Sequence, residues 1–221
     1  ASTSPAGAVL EEVAGRFLLD ALRLPADASY AFVTGCQMAH TTALAAARHA
    51  VLAQKGWDVE AQGLQGAPVI RVLANSHHHS SVTRALRLLG LGNDCIVPLG
   101  GDKPGLVSPE VLRAALAEAP DAPTIVVLNA GDLNIGACDD FATLCPIAQA
   151  AGAWVHVDGA FGLWANASPR LAPLVSGVEM ADSWATDGHK WLNTPYDCGM
   201  AITRHPNAHS AAMRMTAAYL T

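Results

Sequence analysis

Short apolar runs punctuate the chain at Tyr30 to Val33, Val69 to Leu73, Cys95 to Leu99, Thr124 to Leu128, Ala153 to Val157, Ser183 to Thr186 and Gly199 to Thr203. Most are continuously apolar rather than alternating, the pattern of strands covered on both faces. The stretches between them carry helix punctuation. Ser108-Pro-Glu supplies a cap, a proline for the first turn and an acid at the positive end of the helix dipole. Asp139 and Asp140 precede a helix that closes near Gly152, and further helices are predicted from about Val9 to Leu22 and from Val82 to Gly90. Strand, helix, strand in repetition predicts an α/β fold with a mostly parallel sheet and right-handed crossovers. Ligands of such sheets gather at the carboxyl ends of the strands, so the chemistry is sought there.

Composition narrows the function class. At 221 residues, 51% hydrophobic and 14% charged, the chain can bury one large core, and a single domain over 1–221 is expected. A net charge of -6 without a basic run argues against nucleic acid or an anionic membrane as partner and leaves a small-molecule ligand as the expectation. The five cysteines (Cys36, Cys95, Cys138, Cys145 and Cys198) are odd in number and show no C-x-x-C pair, which fits a reducing cytoplasm and predicts no disulfide. No run is long enough for a membrane span, and the opening Ala1-Ser-Thr-Ser-Pro does not read as a signal peptide. With no initiator Met, the chain reads as a segment of something longer.

Several strand ends carry reactive residue types. Ala181-Asp-Ser-Trp-Ala-Thr-Asp-Gly-His-Lys-Trp-Leu-Asn is an apolar run that stops at a turn and presents Lys190 between His189 and Trp191. Bulky aromatics around an ammonium desolvate it, which frees the neutral amine to attack an aldehyde; a snorkelling lysine is the plainer alternative. Thr34-Gly35-Cys36-Gln37 feeds a long Ala-rich helix, and the free N–H groups there form a phosphate seat, unless the turn is a simple connection. Trp154-Val-His-Val-Asp158-Gly-Ala160 ends a buried strand on a carboxylate, which needs a positive partner such as a protonated pyridine nitrogen, a helix N-terminus or an internal ion pair. Ser76-His77-His78-His79-Ser80-Ser81 precedes a helix, where one imidazole could stack on a planar ring while Ser80 or Ser81 caps. Asn129-Ala-Gly131-Asp132-Leu-Asn134 is a turn that either contacts a cofactor or only closes its strand.

These residues resemble the pyridoxal-phosphate-dependent group II amino-acid decarboxylases, relatives of the DOPA, glutamate and diaminobutyrate decarboxylases. The resemblance covers nearly the whole chain, and its most specific piece is Asp187-Gly-His-Lys-Trp-Leu-Asn-Thr-Pro-Tyr-Asp-Cys-Gly. It implies the type I fold, a three-layer α/β sandwich with a mostly parallel central sheet, and a large domain whose N-terminal segment and small C-terminal domain lie outside this chain. It implies pyridoxal 5'-phosphate as cofactor, with Lys190 as the Schiff-base lysine and Asp158 on the ring nitrogen. Ala160 and His79 lie on the two faces of the ring, Gly35, Cys36 and Gln37 lie at the phosphate, and Asn134, Asp187 and His189 lie around the cofactor. Catalytic roles fall to Lys190, His79 and Asp158. The chain departs from the family at Cys36, Gln37, Met38, Ala39 and His40, where relatives have a turn richer in Gly, Ser and Thr and then a Glu-Ala-Asn-like run, and at Leu133, where many have Thr.

The implied reaction is decarboxylation of an L-amino acid to an amine, in a protein that dimerises when full length. Two alternatives stand. One is another pyridoxal-phosphate reaction on the same fold: aminotransfer, aldehyde formation or carbon-carbon lysis. The other is a metal-dependent hydrolase, because His77-x-His79 and His156-x-Asp158 each put two ligands on one face of a strand.

Overall fold

The computed structural model describes residues 4–101 and 103–215; the termini of the expected 1–221 domain, with Ala1 to Thr3 of the opening segment, lie outside the described residues. The first half alternates α1 (Pro5–Ala21), β1 (Ser29–Val33), α2 (Gly35–Ala53), α3 (Val59–Gln62), β2 (Arg71–Asn75), α4 (Ser80–Leu88), β3 (Ile96–Leu99) and α5 (Pro109–Glu118). The second half continues with β4 (Thr124–Asn129), α6 (Phe141–Ala150), β5 (Trp154–Asp158), β6 (Ser183–Asp187), α7 (Gly188–Trp191), β7 (Gly199–Thr203) and α8 (Pro206–Met213). Three short 3-10 turns fill Gly162 to Met180.

The strands form one sheet in the order β1-β7-β6-β5-β4-β2-β3. The run from β3 through β2, β4 and β5 to β6 is parallel, whereas β7 is antiparallel to both β6 and β1. The sheet is therefore mostly parallel, as the apolar runs predict. Alternation along each strand sends side chains to two cores. From β4, Val126 and Leu128 pack with α5 and α6, while Ile125 and Val127 pack with α2 and α4. Each fully buried Val or Leu contributes roughly 1.5–3 kcal/mol, which holds both helical layers to the sheet.

Several expected boundaries move, and α1 begins at Pro5 rather than about Val9, with the proline in its first turn. β2 begins at Arg71, not Val69, because Val69 is 80% exposed and the ladder starts where the Arg71 N–H donates to the Pro123 carbonyl. The helix after the histidines begins at Ser80 rather than Val82, and its cap is His79, not Ser80 or Ser81: the ring Nδ1 accepts the Ser81 N–H at 3.2 Å. Ser108 and Asp140 do cap α5 and α6 through backbone N–H groups, so those starts are stated by their own side chains.

Candidate active site

Four adjacent parallel strands end on buried polar residues: Asn75 on β2, Asn129 on β4, Asp158 on β5 and Asp187 on β6. A buried polar side chain must find partners, and the partners differ from strand to strand. Asn75 is committed to structure. Its amide donates to both oxygens of Asp139, which also accept the N–H groups of Val107 (2.9 Å) and Asn129 (2.8 Å). Burial pushes the Asp139 carboxyl up despite these donors. Asp139 thus clamps the segment before α5 to β4, while its neighbour Asp140 is the helix cap.

Asp158 has a different setting. Its Oδ1 accepts the Ala160 N–H at 3.2 Å, and His40 Nε2 from α2 lies 3.4 Å from Oδ2. Burial alone would raise this carboxyl, but His40 and the Ala160 N–H outweigh it and hold it well below the usual carboxylate range. A carboxylate that stays ionised at the bottom of a cleft suits a cationic ligand atom.

The turn before α2 places backbone rather than side chains at the cleft. Thr34 makes no side-chain cap bond, so the first N–H groups of a 19-residue helix are left for another acceptor. Gly35 has φ +74, and on the neighbouring strand a Cβ at Gly199 would lie 2.4 Å from the Gly35 carbonyl carbon. Only glycine at 199 lets β7 and the turn approach this closely. Asp197 stands beside Gly35, and the Gln37 side chain spends its amide on the Ser81 carbonyl at 3.2 Å, so charge complementarity for an anion here rests on N–H groups.

Lys190 sits on the single turn α7, directly after β6. Its Nζ is 3.2 Å from Asp187 Oδ2 and 5.6 Å from the centre of the Phe161 ring. The expected wall of flanking aromatics is not there: Trp191 is 67% exposed, because successive side chains on a one-turn helix diverge, and Phe161 takes its place. His189 Nδ1 accepts the Cys198 N–H at 3.1 Å, and the ring lies against that of Tyr196.

All ten residues singled out from the sequence, namely Gly35, Cys36, Gln37, His79, Asn134, Asp158, Ala160, Asp187, His189 and Lys190, line one cavity of about 610 Å³. Its size suits a small organic ligand. Arg84, Phe161, Tyr196 and Asp197 line it too, as does His77, whose Nδ1 is 2.9 Å from Asp132 Oδ2. Burial pushes the Asp132 carboxyl up, but the Ile135 and Asn134 N–H groups and His77 outweigh it and hold it below the usual range. His156, which the sequence offers only as half of a metal-ligand pair, and His40 lie deep behind Asp158, and His40 carries no sequence signal beyond its polarity in an apolar helix.

Half of the hydrolase pattern is absent: His156 and Asp158 do share one face of β5, but the other pair does not share a strand. β2 ends at Asn75, so His77 and His79 lie in a turn and at a helix cap rather than on one face of a strand. Among the described residues, the three potential ligands brought within 4.8 Å of one another are Cys36, His40 and Asp158, a different set. All five cysteines are free, and among the described residues no helix is long and apolar enough to cross a membrane.

A parallel sheet whose strand ends bring a lysine, an ionised buried carboxylate and a glycine-opened helix N-terminus to one cavity defines a cofactor-dependent class of α/β protein. The chain belongs to the pyridoxal-dependent decarboxylase family: the family's conserved domain matches residues 1–221. It is 32% identical over 207 residues to an aromatic-L-amino-acid decarboxylase of Bacillus atrophaeus, covering 92% of this chain and 41% of the relative. Similarity to an L-2,4-diaminobutyrate decarboxylase of Rhizobium meliloti (strain 1021) is 31%, over 98% of this chain and 42% of the relative. A phenylacetaldehyde synthase of a Rosa hybrid cultivar is 26% identical over 99% of this chain and 44% of the relative. The crystal structure of Oryza sativa TDC with PLP and tryptamine superposes with a TM-score of 0.89 at 27% identity, over 100% of this chain and 46% of that one. The chain therefore spans less than half the length of these relatives.

The residues present fit pyridoxal phosphate, the cofactor of this family. Asn129 Oδ1 and Asp187 Oδ1, on two residues lining the cavity, are buried acceptors with no hydrogen-bond partner among the described residues, and Thr34 leaves the first N–H groups of α2 without a side-chain cap. Lys190 and Asp158 supply the amine and the anion that an aldehyde and a ring nitrogen call for.

Proposed function

We propose that this chain is the greater part of the cofactor-binding domain of a pyridoxal-phosphate-dependent carboxy-lyase that converts an L-amino acid to an amine and carbon dioxide. The observation that supports it most is the shared cavity of Lys190, Asp158, the Gly35 turn and His79. When bound, pyridoxal phosphate supplies an electrophilic aldehyde and a ring that takes up the electron pair left by departing carbon dioxide. Lys190 would hold the aldehyde through its amine, with Asp187 orienting its Nζ. Asp158 keeps a proton at the ring nitrogen. His79 and Ala160 would bound the two faces of the ring, and the N–H groups of Gly35, Cys36 and Gln37 would receive the phosphate. Asn134 and His189 complete the wall.

The full-length protein is a homodimer in this reading. It is tested by supplying that protein with pyridoxal phosphate and aromatic, acidic and basic amino acids in turn. One class should release carbon dioxide and an equal amount of amine with no keto acid present. A requirement for a keto acid overturns the assignment in favour of aminotransfer. Similarity to a phenylacetaldehyde synthase favours a second reading, in which dioxygen takes two electrons to become hydrogen peroxide, water supplies the carbonyl oxygen, and carbon dioxide and ammonia are released with an aldehyde instead of the amine.

A further inference from the structure

Behind Asp158 lies a line of buried polar groups that the proposed reaction does not use. Trp154, His156 and Asp158 share the face of β5 that meets α2, by the two-residue repeat of a strand. Ser183 on β6 is the register partner of His156, and His40 comes from α2, one turn after Cys36. His156, His40 and Ser183 have no solvent exposure. The contacts run without a gap: Trp154 Nε1 to Ser183 Oγ at 2.9 Å, Ser183 Oγ to His156 Nδ1 at 2.9 Å, His156 Nε2 to His40 Nδ1 at 2.9 Å, and His40 Nε2 to Asp158 Oδ2 at 3.4 Å.

The two ends decide which way the hydrogens point. An indole N–H can only donate and an ionised carboxylate can only accept. His40 must therefore carry a proton on Nε2. With its Nδ1 an acceptor, His156 donates from Nε2 and accepts at Nδ1, and the Ser183 hydroxyl donates to it while accepting from Trp154; a doubly protonated His40 would instead turn His156 round, its Nδ1 donating to Ser183, and would place a cation where there is no solvent exposure. The opposite order would face the lone pair of His40 Nε2 against the carboxylate. In the order derived, each contact has one donor and one acceptor, and each imidazole is neutral.

We propose that this one-directional chain makes His40 a positioning residue for Asp158: an uncharged donor, locked in one tautomer by Ser183 and Trp154, that steadies the carboxylate without cancelling its charge. A histidine cation at position 40 would compensate the anion internally, whereas a neutral one leaves the full charge for the cavity. The surroundings agree. Burial pushes His156 down to about 3, so it stays neutral, and burial pushes the Cys36 thiol, whose Sγ is 3.6 Å from His40 Nε2, well up, so no second anion competes. The purpose of this charge rests on the proposed function; the tautomers do not.

The test has two arms on the full-length protein. Nitrogen-15 NMR of the histidine rings, without added cofactor near neutral pH, should show His40 and His156 each protonated at Nε2 alone, and Ser183→Ala should disturb the His156 tautomer. A ring protonated at Nδ1, or at both nitrogens, overturns the proposal. In the second arm, pyridoxal phosphate is titrated by visible absorbance. His40→Leu should bind it about tenfold more weakly or worse, while His40→Gln, which keeps a donor and an acceptor on one planar group, should recover most of the affinity. A folded His40→Leu that binds like the parent also overturns it; if it fails to fold, the tautomers decide. Failure of the parent itself to bind refutes the proposed function and leaves the first arm standing.

Discussion

On the floor of the cavity Asp158, His40 and His156 are buried and joined to groups from other elements, whereas at the mouth Leu133 is 68% and Tyr196 86% exposed and His79 is held by its own helix start. Floor residues come from the central strand β5 and from the helix α2 packed on it, so the core fixes their positions. Mouth residues come from turns whose contacts are mostly local. Groups that must hold charge at a fixed place are supplied by the sheet, and groups that meet a changing ligand are supplied by loops.

Substitutions sharpen that contrast. The largest effect on stability is expected at Asp139, just behind the floor. Asp139→Ala strands the Val107 and Asn129 N–H groups without their acceptor, leaves the Asn75 amide only the Gly105 carbonyl, and should cost about 3 kcal/mol or more, read from urea unfolding. Gly199→Ala comes next: a methyl 2.4 Å from the Gly35 backbone must push the turn away, costing about 1–3 kcal/mol and weakening phosphate-containing ligands.

The floor should also leave a pH signature. His156 is lowered from 6.5 to about 3 by burial, so as pH falls through that window the unfolded chain takes up the proton first. Stability must therefore fall with pH there, by at most about 1.4 kcal/mol per unit from this residue. His209, also lowered by burial, adds in the same direction. Replacing His156 with Gln should reduce the slope measured by unfolding at successive pH values; an unchanged slope would show that its proton does not matter. At the mouth, Trp191→Ala should alter stability by less than about 0.5 kcal/mol, since the indole is 67% exposed. A large loss would mean that the mouth is packed after all.

The same contrast governs what the sequence discloses. Asp158 and Asp187 are legible because each ends a run that reads as a buried strand, where a carboxylate is costly unless it is used. Ser108 and Asp140 are legible because caps act within three residues. His40 is not, because its partner His156 is 116 positions away and only the fold brings them to 2.9 Å. Asp139 and Asp140 look alike in sequence, yet one is a buried clamp and the other a cap, a difference set by Asn75 and Val107 from distant segments. The 3-10 turns from Gly162 to Met180 have no period long enough to predict. Val69 misleads because hydrophobicity records preference and not pairing.

The central claim is that Lys190 is the amine that meets the cofactor. The chain has three lysines, Lys55, Lys103 and Lys190, so borohydride reduction of the full-length protein with pyridoxal phosphate, followed by peptide mass mapping, reads the answer directly. The account predicts the pyridoxyl mass on the peptide bearing Lys190, its absence from Lys190→Ala, and activity in that variant reduced on the order of 10³-fold or more. A pyridoxyl group found on Lys55 or Lys103 instead, or undiminished trapping at the same cavity in Lys190→Ala, would contradict it.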